Sequence, residues 1–481
     1  MSSLFGILGV AERGMSVTSL GIRTAGHNIA NVNTEGFSQQ RQVTAPGFPI
    51  NTDAGPLGTG VEQLTIERIT DFFVQRQLMR EGSRLGANDT QTQALREIET
   101  ILDEQSGPGL SAALSSFYDS FDDLANATTP GAPVERAAVV TAGQALVDQF
   151  GSLDAQLRDV MVGLDNGIAN AVPAINELTA RIAELNEQIV ATEVRAPAND
   201  LRDMRELAMR QLSELVDVQS YENDDGAVAV TLSNGAALVE GTSAKTLVTT
   251  GSPGNPFNPG FASVAVQDGG NLFDVTADIG SGRLGGLLRS RDTLVPAAIR
   301  SLDTLAYNLA NSVNTVHQGG VGLDASTGND FFTAPAAVED AAANLALDAT
   351  ILASTDAIAA GTTSQSLDNR NAQTLAELRG QRSALFLPGD PPGPASGPSR
   401  SILEHAGAVI SDIGQQSRTQ QLSFDQQTRI LEGLQSRRDS VSGVSIDEET
   451  TRLIELQAAF QANARVVSVV DTLMQDVLGL I

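Results

Sequence analysis

The 481-residue sequence has no cysteine and no tryptophan, only three histidines, and a single lysine, Lys245. Without cysteine there is no disulfide framework, no thiolate nucleophile and no thiolate metal site, and the chain is indifferent to the redox state of its surroundings. His27, His317 and His405 fall in turns or near expected helix ends. They lack the paired helical spacing of a zinc hydrolase and read as packing or surface residues. No Gly-x4-Gly-Lys-Ser/Thr phosphate loop occurs. Basic residues are scarce, 30 Lys and Arg against 58 Asp and Glu for a net charge of −28, and they form no cluster of the kind that nucleic acid or an anionic membrane requires. No apolar run approaches the ~18 residues of a membrane span. Aromatic residues make up 4% of the chain, which suits long helices packed through small and aliphatic side chains better than thick globular cores. Asn223-Asp224-Asp225-Gly226 and the segment from Asp324 to Asp330 lack the alternating acids and terminal Glu of a calcium loop, and read as turns. The expectation is a protein that is not an enzyme, with no cofactor, no metal and no catalytic residue.

What is present is helical periodicity, strongest at the two ends. From Ser445 onwards Ile446, Leu453, Leu456, Phe460, Asn463, Val467, Val470, Met474, Val477 and Ile481 follow at steps of three and four, broken by one seven-residue gap where Glu449 sits. This is a coiled-coil seam. Ser445 with Glu448 reads as a capping box, and Asp447, Glu448 and Glu449 place acid at the positive end of the helix dipole. The first thirty residues mirror it through Leu4, Leu8, Ala11, Met15, Thr18, Ile22, Ala25, Ile29 and Val32. Each seam carries one polar residue, Thr18 and Asn463, expected to fix register at some cost in stability. So narrow a stripe is marginal in isolation, because ordering each residue costs roughly 1–2 kcal/mol. Both ends therefore read as halves of something that a partner completes.

Between them the chain is long enough for about three domains. Residues 40 to 75 carry Gly55, Gly58 and Gly60 among alternating Val61, Leu64 and Ile66, a turn-rich stretch of short strands. Helix is expected from Phe72 to Gly107-Pro108-Gly109, and from Pro133 to Ile189, the longest periodic segment, with a stutter before Ile168 and a bend at Pro173. Another helix runs from Leu201 to Val216. Residues 226 to 240 form a hairpin around Asn234-Gly235, and short strands extend to Asp278. A helix opening at Gly282 has its seam at Val295, Ala298, Leu302, Leu305, Leu309 and Val316. Residues 333 to 400, rich in Ala, Thr, Ser and Gly and closing with Pro388, Pro391, Pro392, Pro394 and Pro398, read as exposed loops and short elements. A last internal helix, Ile402 to Arg438, carries Gln416, Gln420 and Gln427 on its inner face and stops at Gly443.

The NIANVNTEGFS stretch from Asn28 to Ser38 resembles the signature that flagellar rod, hook and hook-associated proteins carry after their first helix, and IELQAAFQANARVVSVVDTLMQDVLGL from Ile454 resembles their C-terminal motif. The segments around Asp200–Val218 and Gly282–Phe332 are similar to the hook-associated members rather than to hook or rod proteins. The resemblance implies a mainly α, elongated multi-domain rod with a smaller β-rich insertion. Its terminal helices pair as a coiled coil beside a bundle of long helices. It implies an inner tube domain from residues 1–40 and 440–481, a helical bundle from 41–217, 283–318 and 400–439, a β-rich outer domain at 218–282, and a variable, loop-rich insertion at 319–399.

It further implies a structural subunit at the junction of hook and filament, extracellular and exported without a cleaved signal peptide. That subunit would form a ring or helical layer of identical copies and meet the hook protein, a second hook–filament junction protein, an export chaperone and the export apparatus, with no nucleic acid and no membrane span. The assembly interface expected on this basis comprises Leu4, Leu8, Met15, Ile22, Ile29, Asn31, Val32, Gly36 and Phe37, with Leu453, Leu456, Phe460, Asn463, Val467, Val470, Met474 and Val477. Its ends are expected to order on docking. The nearest rival is another axial protein, hook or distal rod. A peptidoglycan-cutting hydrolase is the remote one, since no segment has the aromatic content for a substrate cleft.

Overall fold

The computed structural model describes every residue except Met1, 53–54, 104–108, 366, 391–393 and 480–481. Ile481, Gly107, Pro108, Pro391 and Pro392, singled out above, lie outside the described residues. Helix α1 (Ser2–Ala30) stops where the carboxamide of Asn31 donates to the His27 carbonyl at 3.0 Å and Gly36 adopts φ +85°. Val32 thus falls in the turn beyond the helix rather than on its seam. Strand β1 (Gln40–Pro46), the small hairpin β2 (Ile50–Thr52) and β3 (Gly55–Leu57), and strand β4 (Val61–Arg68) form an antiparallel ribbon, bulged after Val43. Asp71 caps α2 (Phe72–Ile101) by accepting the amides of Phe73 and Val74 at 2.9 and 3.2 Å.

After α3 (Leu110–Ala125) comes α4 (Pro133–Glu193), one helix of 61 residues. Its expected seam, Val139, Gly143, Leu146, Phe150, Leu153, Leu157, Val160 and Leu164, then Ile168, Ala171, Ile175, Leu178, Ile182, Leu185 and Ile189, is buried except at Leu178, which is half-buried. Pro173 lies on its exposed side, where the forfeited backbone hydrogen bond faces water. Helix α5 (Asn199–Leu215) leads into two antiparallel sheets. One has β5 (Val218–Glu222), β6 (Val228–Leu232), β7 (Ala237–Glu240) and β8 (Ser243–Ala244) in sequence order. The other places β10 (Ala262–Asp268) between β9 (Thr246–Gly251) and β11 (Asn271–Asp274). The Asn234-Gly235 turn joins β6 to β7, with Gly235 at φ +88° and the Asn234 side chain accepting from Ala236 N at 2.9 Å. Both sheets lie against α4 and share its core.

Helix α6 (Gly282–Arg289) continues through a π turn, Ser290–Leu294, into α7 (Val295–Gln318). The wide turn accommodates Pro296, whose ring excludes the usual bond four residues back. Within it Arg291 is buried, giving its guanidinium to Asp165 at 2.6 Å and to the Ala262 carbonyl at 2.7 Å.

Residues 333–400 are short elements, but they are not the exposed loops expected. Helices α8 (Ala341–Asn344) and α10 (Arg370–Glu377) bury Ala341, Ala342, Ala372 and Leu375 against α3, α4 and α7, and α9 (Ala349–Ala353) adds Ile351 to the same core. Alanine-rich composition serves close approach here rather than exposure. The scarce aromatics are concentrated at this junction, with Phe331 and Phe332 edge-to-face at 5.0 Å and tilted against Phe117 at 5.6 and 5.5 Å. Asn314 holds that segment, accepting both phenylalanine amides at 3.0 Å and donating to the Phe332 carbonyl at 2.8 Å.

Strands β12 (Ser383–Ala384) and β13 (Ser399–Arg400) precede α11 (Ile402–Ser442), which begins with a complete capping box of Ser401 and Glu404. Along α2, α11 packs mostly through polar contacts, Gln427 to Glu81 at 2.8 Å and Ser417 to Glu99 at 2.7 Å, whereas Gln416 points to solvent instead of inward. A break at Gly443 leads to α12 (Ile446–Gly479), and α1 and α12 pack along one another. Ser445 supplies only half a capping box, accepting from Glu448 N at 3.4 Å. The core runs from α2 through α10 with both sheets and the start of α11, and no described residue of α1, the ribbon or α12 belongs to it.

Candidate functional site

Helices α1 and α12 are antiparallel, and three contacts fix their register at one-heptad steps. A Cβ placed on Gly14 would lie 2.7 Å from Oδ1 of Asn463, and one on Gly21 would lie 3.0 Å from a methyl of Leu456. The carboxamide of Asn28 donates to Glu449 at 2.8 Å. Each step of seven along α1 is matched by seven in the opposite direction along α12, as an antiparallel coiled coil requires.

The buried line on α1 is Ala11, Gly14, Thr18, Gly21, Ala25 and Asn28, with Thr24 buried beside it. It shares Ala11, Thr18 and Ala25 with the expected seam but replaces its bulky members. Leu4, Leu8, Met15, Ile22 and Ile29 are half-buried on the flank. Glycine and alanine let the two backbones approach, so large side chains have no room on the contact line itself. On α12 Val470 is buried, while Leu453, Leu456, Asn463, Val467 and Met474 are half-buried, and Phe460 and Val477 are exposed. Thr18 and Asn463 do not bond across the pair: Thr18 donates to Gly14 O at 2.8 Å and Asn463 to Ala459 O at 3.0 Å, each within its own helix.

Register is instead fixed by the residue in the sequence gap. Glu449 is 1% exposed, and one carboxylate oxygen accepts from Asn28 at 2.8 Å and from Gln39 at 2.7 Å. Asn28 closes a two-bond ring with the backbone of Gln40, donating to its carbonyl at 2.9 Å and accepting its amide at 3.0 Å. From there the polar net reaches the body. Gln40 donates to Asp200 at 2.6 Å, and the Ser38 amide donates to Asp203 at 2.9 Å. Asp203 also pairs with Arg68 at 2.7 Å, and Arg68 reaches Glu206 at 2.8 Å. Burial pushes the Asp203 carboxyl above its ordinary range despite Arg68.

The expected motif residues belong to this joint. Gly36 is buried, with the side chain of Leu207 where a Cβ would come within 3.1 Å. Half-buried Phe37 meets the His27 ring edge-on at 5.4 Å, and its carbonyl accepts from Arg438 at 2.9 Å. Asn31 and Val32 are half-buried in the turn. The stretch is thus a joint that ties α1, the ribbon, α5 and the end of α11 to one another.

Sequence reasoning missed the outer faces of the pair. Phe5, Ile7 and Val10 on α1, and Ile454, Val466, Val469 and Leu473 on α12, are exposed, Phe5 at 56% and Val469 at 58%. Ile454, Ala458, Ala462, Val466, Val469 and Leu473 follow at steps of three and four, a second stripe that was legible in the sequence beside the first.

Among the described residues no cluster of three or more His, Asp or Glu is placed to hold a metal ion, and no helix is long and apolar enough to cross a membrane. His27 reaches Asp200 at 3.1 Å. His317 and His405 are buried and burial lowers the affinity of both for a proton.

Residues 95–332 match the family model described as the flagellar hook-associated protein FlgK helical domain, and residues 435–480 match that of the flagellar basal body rod FlgEFG protein C-terminal region. The chain is 29% identical to flagellar hook-associated protein 1 of Bacillus subtilis (strain 168), over 100% of this chain and 99% of that one. It is 25% identical to the protein of the same name from Salmonella typhimurium, over 100% of both. A solved structure, the flagellar hook junction protein FlgK from Burkholderia pseudomallei, shares the fold with a TM-score of 0.65 at 16% identity, over 76% of this chain and 100% of that one. The chain is thus similar along its full length to flagellar hook-associated protein 1 of these bacteria, its helical middle and C-terminal helix match flagellar axial-protein models, and it shares the fold of the hook junction protein FlgK.

Proposed function

We infer that this chain is a structural subunit of the junction between flagellar hook and filament, built beside copies of itself through the outer faces of α1 and α12. The observation that carries this is the exposed apolar stripe on a helix pair that lies outside the core. Monomeric proteins rarely leave such contiguous patches in water. Burying side chains of this size contributes on the order of 1–3 kcal/mol each, enough in number to offset the loss of freedom on association.

On this reading residues 1–40 with 440–481 form the inner tube and 41–217, 283–318 and 400–439 the bundle outside it. Residues 218–282 face outward, and 319–399 form an insertion packed into the bundle. The subunit is extracellular. A chaperone covers the apolar C-terminal stripe until the ends order on docking, and the hook protein and a second junction protein flank the assembled layer.

The test is Val469→Glu with Leu473→Glu in the full chain. Both side chains are exposed, so the variant is expected to melt with the parent yet neither self-assemble nor restore motility to cells lacking the protein. Normal assembly and swimming would remove the basis of the reading.

A further inference from the structure

Helix α2 carries two surfaces of opposite charge. Near its start Arg76, Arg80 and Arg84 are exposed at steps of four, beside exposed Phe72 and Phe73. Arg76 lies over the Phe72 ring at 4.7 Å. Arg80 and Arg84 share the single carboxylate of Glu81, which also accepts from Gln427, so the stripe keeps a net positive charge.

Further along, α2, α4, α5 and α6 border a groove of about 590 Å³. Asp89, Glu97, Asp159 and Glu214 line it with no ion pair among the described residues, against one basic group, Arg283. Gly163 belongs to its lining, and a Cβ there would meet nothing within 4 Å. Glycine is the poorest helix former after proline, and at Gly163 no contact within the chain requires it. Its effect is to deepen the groove.

At 100° per residue the centres of the two surfaces, Arg80 and Gln93, lie about 140° apart around α2 and, at roughly 1.5 Å per residue, about 20 Å apart along it. Opposite, complementary faces displaced along an axis suit a heterologous contact, the kind that propagates into a ring or a helix.

We propose that the Arg76–Arg84 stripe of one copy seats in the acidic groove of the next, an interface between bundles in addition to that between terminal helices. A chain of net charge −28 repels its own copies. Placing these three exposed arginines against a neighbour's acids offsets that repulsion where the bodies are closest, and sets their axial offset at about 20 Å. The proposal rests on self-assembly through α1 and α12.

The absence of native cysteine makes the test direct. Full-length Arg80→Cys and Gln93→Cys chains are assembled separately, mixed, and as a double variant, then oxidised. Within one copy these positions are about 20 Å apart on one helix, beyond the roughly 7 Å Cα separation that a disulfide spans, so any bond between them joins two copies. Linked dimers from the mixture and longer ladders from the double variant, at least about tenfold above either single variant and reduced severalfold in high salt, are the expected result. Arg76→Cys, which leaves Arg80 and Arg84 in place, repeats the test. Assemblies that sediment like the parent but show no link above the single variants overturn this interface and leave the terminal-helix reading standing. Failure of the parent itself to assemble overturns both.

Discussion

Asn28 and Glu449, 421 residues apart in the sequence, are joined by a 2.8 Å hydrogen bond, and both are closed off from solvent. The two ends of the chain are thereby pinned at the point where the terminal pair meets the body. Gln39 and Gln40 extend the pin into the ribbon and α5.

Removing the pin is expected to loosen the pair. Glu449→Ala leaves one of the two amide hydrogens of buried Asn28, the other still donated to the Gln40 carbonyl, and the Gln39 donor without their acceptor, at about 1–3 kcal/mol. Glu449→Gln keeps one acceptor oxygen and costs less. Hydrogen exchange of the α1 amides reads the change directly, and protection equal to the parent in Glu449→Ala would show that the pin does not hold the ends together.

Gly14 and Asn463 make a coupled pair. Gly14→Ala pushes a methyl into the Asn463 carboxamide, 2.7 Å from its oxygen, and overpacking of this kind typically costs about 1–3 kcal/mol. Adding Asn463→Ala empties the space and is expected to recover most of the loss. A double-mutant cycle on urea unfolding with coupling below about 0.5 kcal/mol would mean that the helices are not in this register.

Arg68 is the ionic link between ribbon and body, bridging Asp203 and Glu206. Arg68→Met strands a buried carboxylate, a loss of about 3–5 kcal/mol, and Asp203→Asn in the same chain is expected to return part of it. Thermal melting measures the loss, and faster proteolysis between Ser38 and Asp71 would locate it. Unchanged melting in Arg68→Met would show that the link does not contribute.

His405 predicts a pH dependence. Burial, with Arg400 adding to it, lowers its pKa from 6.5 to about 4. The folded state therefore binds fewer protons than the unfolded one in that window, and stability present above pH 6.5 is lost as pH falls toward 4. His405→Leu removes this term and is expected to gain about 2 kcal/mol more over the parent at pH 5 than at pH 7. Asp303 acts in the opposite sense. Burial raises its pKa from 3.8 to about 6, so its contribution is present at low pH and lost as pH rises through 6. Urea midpoints from pH 4 to 7 test both, and a gain for His405→Leu that does not change with pH would contradict the first.

The element order was readable from the residues because helical periodicity and turn chemistry are local. The α4 seam from Val139 to Ile189, the Asn234-Gly235 hairpin and the stop after Ala30 all appear where their spacing and turn residues place them. So was the existence of two terminal seams, since three-and-four spacing needs no partner to be seen. Which side chains occupy the contact line was not readable. Periodicity marks a face, whereas the line within it depends on how closely two backbones approach. Gly14 and Gly21 drew α12 in, moving Met15 and Ile22 to the flank. The gap at Glu449 carries its meaning only in three dimensions, where Asn28 and Gln39 converge on it from the other end of the chain. The same holds for the alanine-rich residues 341 to 376: small side chains have no strong pattern of their own, and only the closeness of α3, α4 and α7 decided that they are buried.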